Sequence, residues 1–344
     1  MDIIKHKIVN LYNVLLGIAI GDAFGAGLEF QDRNWIQKNV DFTKFINVRH
    51  LIKISTDKLS AFTENYYDWQ YTDDTEMTIG LIKALYSKEE FNESLLVEKW
   101  KDEYNKGKHE KGHGRNGHGS MRWFFSGEMT IEEIKNFQRN RPTPGNAPAM
   151  RSVPLGFIPS NLINKYAKIN ANATHPNINA ILSSQCIARA TEYLLVKKGN
   201  KENLIKYCIE KVNLNDEYKN YLTSVNKIKS NEILTKGNYE TLCGHQPIRK
   251  PYFLNGINGM PSDSKYTTGS VLYILKNSTS AFDALKKSIF LGGDVDSVAS
   301  ITTGINSGFY GIGSLPDFMI ENVEGKQYIK EISSRFNQYL EEIN

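Results

Sequence analysis

Residues 71–86 read YTDDTEMTIGLIKALY, and their pattern carries the fold class. Thr72 is a good helix N-cap, and Met77, Leu81, Ala84 and Leu85 recur behind it at helical spacing. A helix is therefore predicted here, with Asp73 and Asp74 at its mouth. The helix dipole favours acids at that end by about 0.3–1 kcal/mol each, so one such mouth needs no ligand. Residues 292–297, GGDVDS, repeat the arrangement far along the chain: Val298, Ile301, Ile305 and Phe309 form the apolar stripe, and Gly292-Gly293 gives a flexible, close-packing approach. Two acid pairs packed together repel and raise one another's pKa unless a cation lies between them. Each mouth also carries a hydroxyl, on Thr72 and Ser297, and hard divalent cations collect such oxygen ligands. The two stretches are expected to meet and build one metal centre.

Around them the chain reads as helix throughout. No alternation of β-branched residues is sustained enough for a sheet, and neither an internal repeat nor a low-complexity linker occurs. The expectation is one compact, all-α domain over residues 1–344, with an ordinary soluble composition of 40% hydrophobic and 23% charged residues. A net charge of +4 is too slight at this length to argue for a nucleic-acid or membrane partner. Cys186, Cys208 and Cys243 lack ligand spacing and fit three free thiols in a reducing compartment. The first ten residues have no apolar signal core, and residues 14–24 are interrupted by glycines and Asp22, so a cytoplasmic protein is expected.

Ile8, Leu11, Tyr12, Leu15, Leu16 and Ala19 predict a core-facing helix over about residues 8–20. Gly17, Gly21 and Gly25 recur every fourth residue and would give it a smooth face, at a propensity cost of about 1 kcal/mol each. The helix is expected to end near Gly21, with GDAFGAGLE (residues 21–29) leading to Glu29.

With GDAFGAGLE, YTDDTEMT and LGGDVDSVAS in that order, the sequence resembles the ADP-ribosylglycohydrolase family from about residue 9 to about residue 335. The resemblance implies an all-α, many-helix orthogonal bundle and two divalent cations, Mg²⁺ or Mn²⁺, holding the ribose of the substrate. It implies Thr72, Asp73, Asp74, Asp294, Asp296 and Ser297 as metal ligands, with Asp296 bridging and Ser297 standing where many members have threonine. Glu29 is implied as general acid/base, with Asp74 as the second catalytic carboxylate and Asp22 ordering the substrate loop.

Other segments are matched less directly. Residues 107–120 form a glycine- and histidine-rich stretch whose histidines lack the spacing of a transition-metal site. It is read as a flexible loop in which Asn116, Gly117, His118, Gly119 and Ser120 approach a phosphate-bearing ligand. Residues 142–151 resemble the family's GNGxAMR substrate loop through Asn146, but Ala147-Pro148 departs from it. Thr174-His175-Pro176 is read as a helix start with His175 near the substrate, and Tyr266, ahead of a helix, as a stacking residue. Residues 91–104 are read as an amphipathic helix, 200–240 as two surface helices, and 242–264 as a cleft rim.

The resemblance implies removal of ADP-ribose from a modified protein or an ADP-ribose derivative by a monomer, arginine-linked first, with serine-linked or O-acetyl-ADP-ribose as alternatives. Two other classes compete. DVDS resembles the nucleophile motif of haloacid-dehalogenase-like phosphatases, but that motif ends a buried strand and here opens a helix. A non-catalytic ADP-ribose binder is opposed by the retained acids and Glu29.

Overall fold

The computed structural model describes residues 10–48, 67–111, 119–229, 234–249 and 255–343. Among them the fold is all-α, with seventeen α-helices, no strand and only three isolated bridges, two of them on Gly293. One buried apolar cluster runs from Leu11 to Phe336.

At its centre lies the helix Leu11–Ala26, which is buried from Val14 to Ala26. It is apolar nearly all round, as a helix with no solvent face must be. It packs antiparallel on the helix Val295–Tyr310 so closely that a Cβ on Gly21 would lie 2.3 Å from the Ala299 carbonyl oxygen, and one on Gly25 2.5 Å from Asp296 Cα. The smooth face thus receives another backbone. This corrects the expected end near Gly21: the helix continues to Ala26 because the contact it makes outweighs the glycine propensity cost. Asp22 accordingly sits inside the helix rather than in a loop after it.

The helix Asp73–Leu85 lies against the helix Glu93–Lys111, where Leu95, Leu96 and Trp100 are buried and Trp100 Nε1 donates to the Met77 carbonyl at 2.9 Å. That second helix runs on into the start of the segment expected to be a loop. Among the described residues of 200–243 lie three α-helices, Leu204–Lys211, Asp216–Asn226 and Lys236–Cys243, rather than two on the surface. Their buried Leu204, Tyr218, Leu222 and Leu242 tie them to the core, a contribution hidden beneath the lysine-rich composition. All three cysteines are free and buried. No helix among the described residues is long and apolar enough to cross a membrane.

The result is a convergence. The C-terminal end of the glycine-bearing helix meets the N-terminal ends of both acid-bearing helices, where their dipoles favour negative charge.

Candidate metal centre

The first mouth is capped from outside its own helix. Thr72 holds the N-cap position of Asp73–Leu85, yet its hydroxyl makes no cap bond to that helix. It donates instead to Asp22 Oδ1 at 2.7 Å, while the Thr72 backbone N–H reaches both Asp22 oxygens at 3.0 Å. Thr75 adds its N–H at 2.9 Å and its hydroxyl at 2.6 Å, both to Asp22 Oδ2. Asp22 is fully buried in these contacts, which takes it off any substrate-facing surface.

The second mouth is set by its glycines. Gly292 and Gly293 have φ of +69° and +74°, and a Cβ on Gly293 would lie 2.3 Å from the Met260 carbonyl oxygen. Freed of side chains, the turn threads between two segments. Phe30 N donates to the Gly293 carbonyl at 2.7 Å, Gly293 N to that of Gln31 at 2.9 Å, and Asp294 N to that of Met260 at 2.9 Å. Arg33 Nε donates to the Leu291 carbonyl at 2.9 Å. These bonds carry Glu29 alongside the second mouth, and Phe30 beside it takes a left-handed φ of +60°. Carboxylate oxygens of Glu29, Asp294 and Asp296 come within 4.8 Å of one another, a grouping suited to a cation.

Two contacts join the mouths and their surroundings. Ser297 Oγ donates to Asp74 Oδ2 at 3.4 Å across the two helices, and Asn146 Nδ2 donates to Asp294 Oδ2 and Thr267 Oγ1, each at 3.2 Å. Asp74 Oδ1 is left buried with no hydrogen-bond partner. A buried anionic oxygen without a donor is costly in protein alone, and it fits a cation ligand.

The electrostatics agree. Burial, then the charges of Asp22 and Glu29, push the Asp73 carboxyl up to about 8. Asp74 is pushed well above the ordinary carboxylate range by burial and then by Asp22, Asp73 and Asp294; Asp296 is pushed the same way by burial and then by Glu29, Asp294 and Asp74. Acids packed this closely repel one another, and a cation among them would relieve that repulsion. A donor set of carboxylates and hydroxyls suits a hard divalent cation.

The sequence model of the ADP-ribosylglycohydrolase family matches residues 8–343. The chain belongs to this family. Human ADP-ribosylhydrolase ARH3 is 24% identical over 338 residues, covering 90% of this chain and 88% of its own length. An uncharacterised protein of Archaeoglobus fulgidus is 23% identical over 344 residues and covers 94% of both chains. Among solved structures, an ADP-ribosylglycohydrolase-related protein complex superposes with a TM-score of 0.65 at 16% identity, covering 96% of this chain and 98% of that one, which establishes the fold. The family is one of hydrolases that act on ADP-ribosylated substrates. The opening of DVDS on a helix, with no strand among the described residues, leaves the phosphatase motif without its structural context.

The other candidate residues are distributed unevenly. Asn116, Gly117 and His118 lie outside the described residues. Gly119 has φ of +50° and Ser120 starts the short helix Met121–Phe125 without capping it. His175 is buried, with Nδ1 2.7 Å from Thr174 Oγ1, and its ring supports Gly145: a Cβ there would lie 2.9 Å from Nε2. Burial, then Arg151 and Arg141, hold this imidazole well below its ordinary pKa, so it is neutral. The helix starts after it, at Ile178 with Asn177 as N-cap, because Asn177 accepts from Asn179 N and His175-Pro176 do not supply that cap. Tyr266 lies within the first turn of Ser264–Asn277 rather than ahead of it, edge-on to Tyr221 with ring centroids 5.6 Å apart.

Several supports are not apparent from sequence. Arg151 is fully buried, stacks 3.8 Å over Trp100 and donates to Asn170 Oδ1 at 2.7 Å and Thr174 Oγ1 at 2.8 Å. It thereby fixes the turn that carries Asn146. An arginine directly after an apolar Ala-Met pair gave little hint of this role. Thr75 had a better signal, standing three residues after Thr72 and so on the same side of the first turn.

Proposed function

We propose that this chain is a divalent-cation-dependent hydrolase that removes ADP-ribose from a modified side chain by cleaving the bond at the anomeric carbon of the ribose. The observation that carries this reading is the meeting of two remote acid-bearing helix mouths, joined by Ser297 and Asp74, with Glu29 grouped beside Asp294 and Asp296 and with Asp74 Oδ1 left without a partner. Thr72, Asp73, Asp74, Asp294, Asp296 and Ser297 would hold two cations, Mg²⁺ or Mn²⁺. When bound, they supply Lewis-acid attraction for the ribose hydroxyls and for negative charge that develops there.

The chain's own groups do the rest. Glu29 moves the proton, giving it to the departing atom or taking it from the attacking water. Asn146 keeps Asp294 oriented through its amide bond to Oδ2. Asp74 serves beside Glu29 as the second carboxylate at the reacting ring. Holding the sugar between these groups lowers the barrier mainly by positioning, since a stretched glycosidic bond develops charge near the acids.

The relatives' name, ADP-ribosylhydrolase, specifies no linkage. Arginine-linked ADP-ribose is the first substrate to try, because a guanidinium leaves as a stable base. The deciding experiment incubates the chain with arginine-linked and serine-linked ADP-ribosylated protein, with Mg²⁺ or Mn²⁺ present and then chelated. Metal-dependent release from one of them is expected and names the linkage. Absence of release from both, with calorimetry still detecting ADP-ribose binding, would replace this reading with that of a binding module.

A further inference from the structure

Asp22 spends both of its oxygens on a single neighbour. Its four donors are the backbone N–H groups and the hydroxyls of Thr72 and Thr75, at 2.6–3.0 Å. The two N–H groups belong to the donors at a helix start that have no partner within the helix, so Asp22 caps Asp73–Leu85 from a residue 50 positions earlier. A threonine hydroxyl has one hydrogen and two lone pairs. That of Thr72 is committed to Asp22, which leaves its oxygen with only lone pairs to offer, the state a cation requires. The amides and hydroxyls of Thr72 and Thr75, which flank Asp73 and Asp74 in the chain, are thus all turned toward Asp22.

Asp22 is also tied to the second mouth. It shares its helix with Gly25, whose Cα closely approaches Asp296, so one rigid element holds the first mouth by a carboxylate and the second by backbone packing. We propose that Asp22 is a positioning residue of the cation site: it holds the Thr72 hydroxyl as an acceptor and locks the Asp73-Asp74 turn in register with the Asp294–Ser297 turn. The proposal rests on the metal-centre reading above.

The test is calorimetric titration of Mn²⁺ into the metal-free wild-type chain, Asp22→Asn and Thr75→Val, with the metal-free Tm of each. Asn keeps the volume but points an NH₂ at groups that are themselves donors. A loss of about 10–100-fold in Mn²⁺ affinity is expected, the usual effect of removing an outer partner of a metal ligand. Thr75→Val removes one of the four donors; a smaller loss, at least about threefold, is expected, and this variant decides the matter if Asp22→Asn fails to fold. Unchanged Mn²⁺ affinity in a folded variant, even with a lowered Tm, would overturn the proposal and leave the metal centre standing. A wild-type chain that binds no Mn²⁺ would remove the metal centre and this proposal together.

Discussion

Glu29 and Asp296 lie in one group of oxygens within 4.8 Å, yet the proposed function gives them different tasks, so they should fail differently. Replacing Glu29 with Gln should lower turnover about a hundredfold or more, the contribution of a positioned acid/base group, while Mn²⁺ still binds. If Glu29 acts chiefly as a ligand instead, calorimetry will record the Mn²⁺ affinity falling in step with turnover. Asp296→Asn should abolish metal uptake and activity together, and an active variant with unchanged metal content would refute the ligand assignment. Both carboxylates could be singled out from sequence, Asp296 by its helix mouth and Glu29 by the motif it ends. Their mutual distance could not, because it is set by the backbone bonds of Phe30 and Gln31 to Gly293.

The glycine-bearing helix shows how an element can look weak in sequence and be rigid in the fold. Gly21→Ala would drive a Cβ into the Ala299 carbonyl at 2.3 Å, which is backbone and cannot step aside. A loss of about 1–3 kcal/mol in stability is expected from such overpacking, read as the shift in a denaturant midpoint. Mn²⁺ affinity should fall with it, since Asp296 rides on the displaced helix. Gly237 is the control: it is exposed in Lys236–Cys243, and a Cβ there would meet nothing nearer than Thr235 Oγ1 at 3.8 Å. Gly237→Ala should raise stability by about 0.4–1 kcal/mol and leave metal binding unchanged. Period and propensity describe the two helices alike; the neighbour that makes one glycine indispensable is supplied by a segment remote in the chain.

The molecule as a whole should pay for its acid cluster in metal-free form. Asp73 is raised from 3.8 to about 8, with Asp74 and Asp296 shifted the same way. Between those values the folded chain keeps protons that the unfolded chain has released, so its stability falls as pH rises. The metal-free Tm should therefore drop from about pH 5 to about pH 8, and saturating Mg²⁺ should suppress the drop by replacing the protons. A metal-free Tm that climbs over this interval would contradict the arrangement of charges.

What the sequence determined by itself is local. Apolar periodicity over a few turns specifies helices, and it puts Asp73-Asp74 and Asp294–Ser297 at helix mouths, where the dipole acts within one turn. Three short motifs in order were enough to indicate the family. Only the tertiary structure decided that the first helix passes through its glycines to Ala26, that Asp22 caps a helix 50 residues away, and that buried Arg151 supports the turn bearing Asn146. Each of these depends on a close approach or a buried hydrogen bond between segments far apart in the chain. Such partners leave no periodic trace in either segment, because burial and packing set them only once the helices have come together.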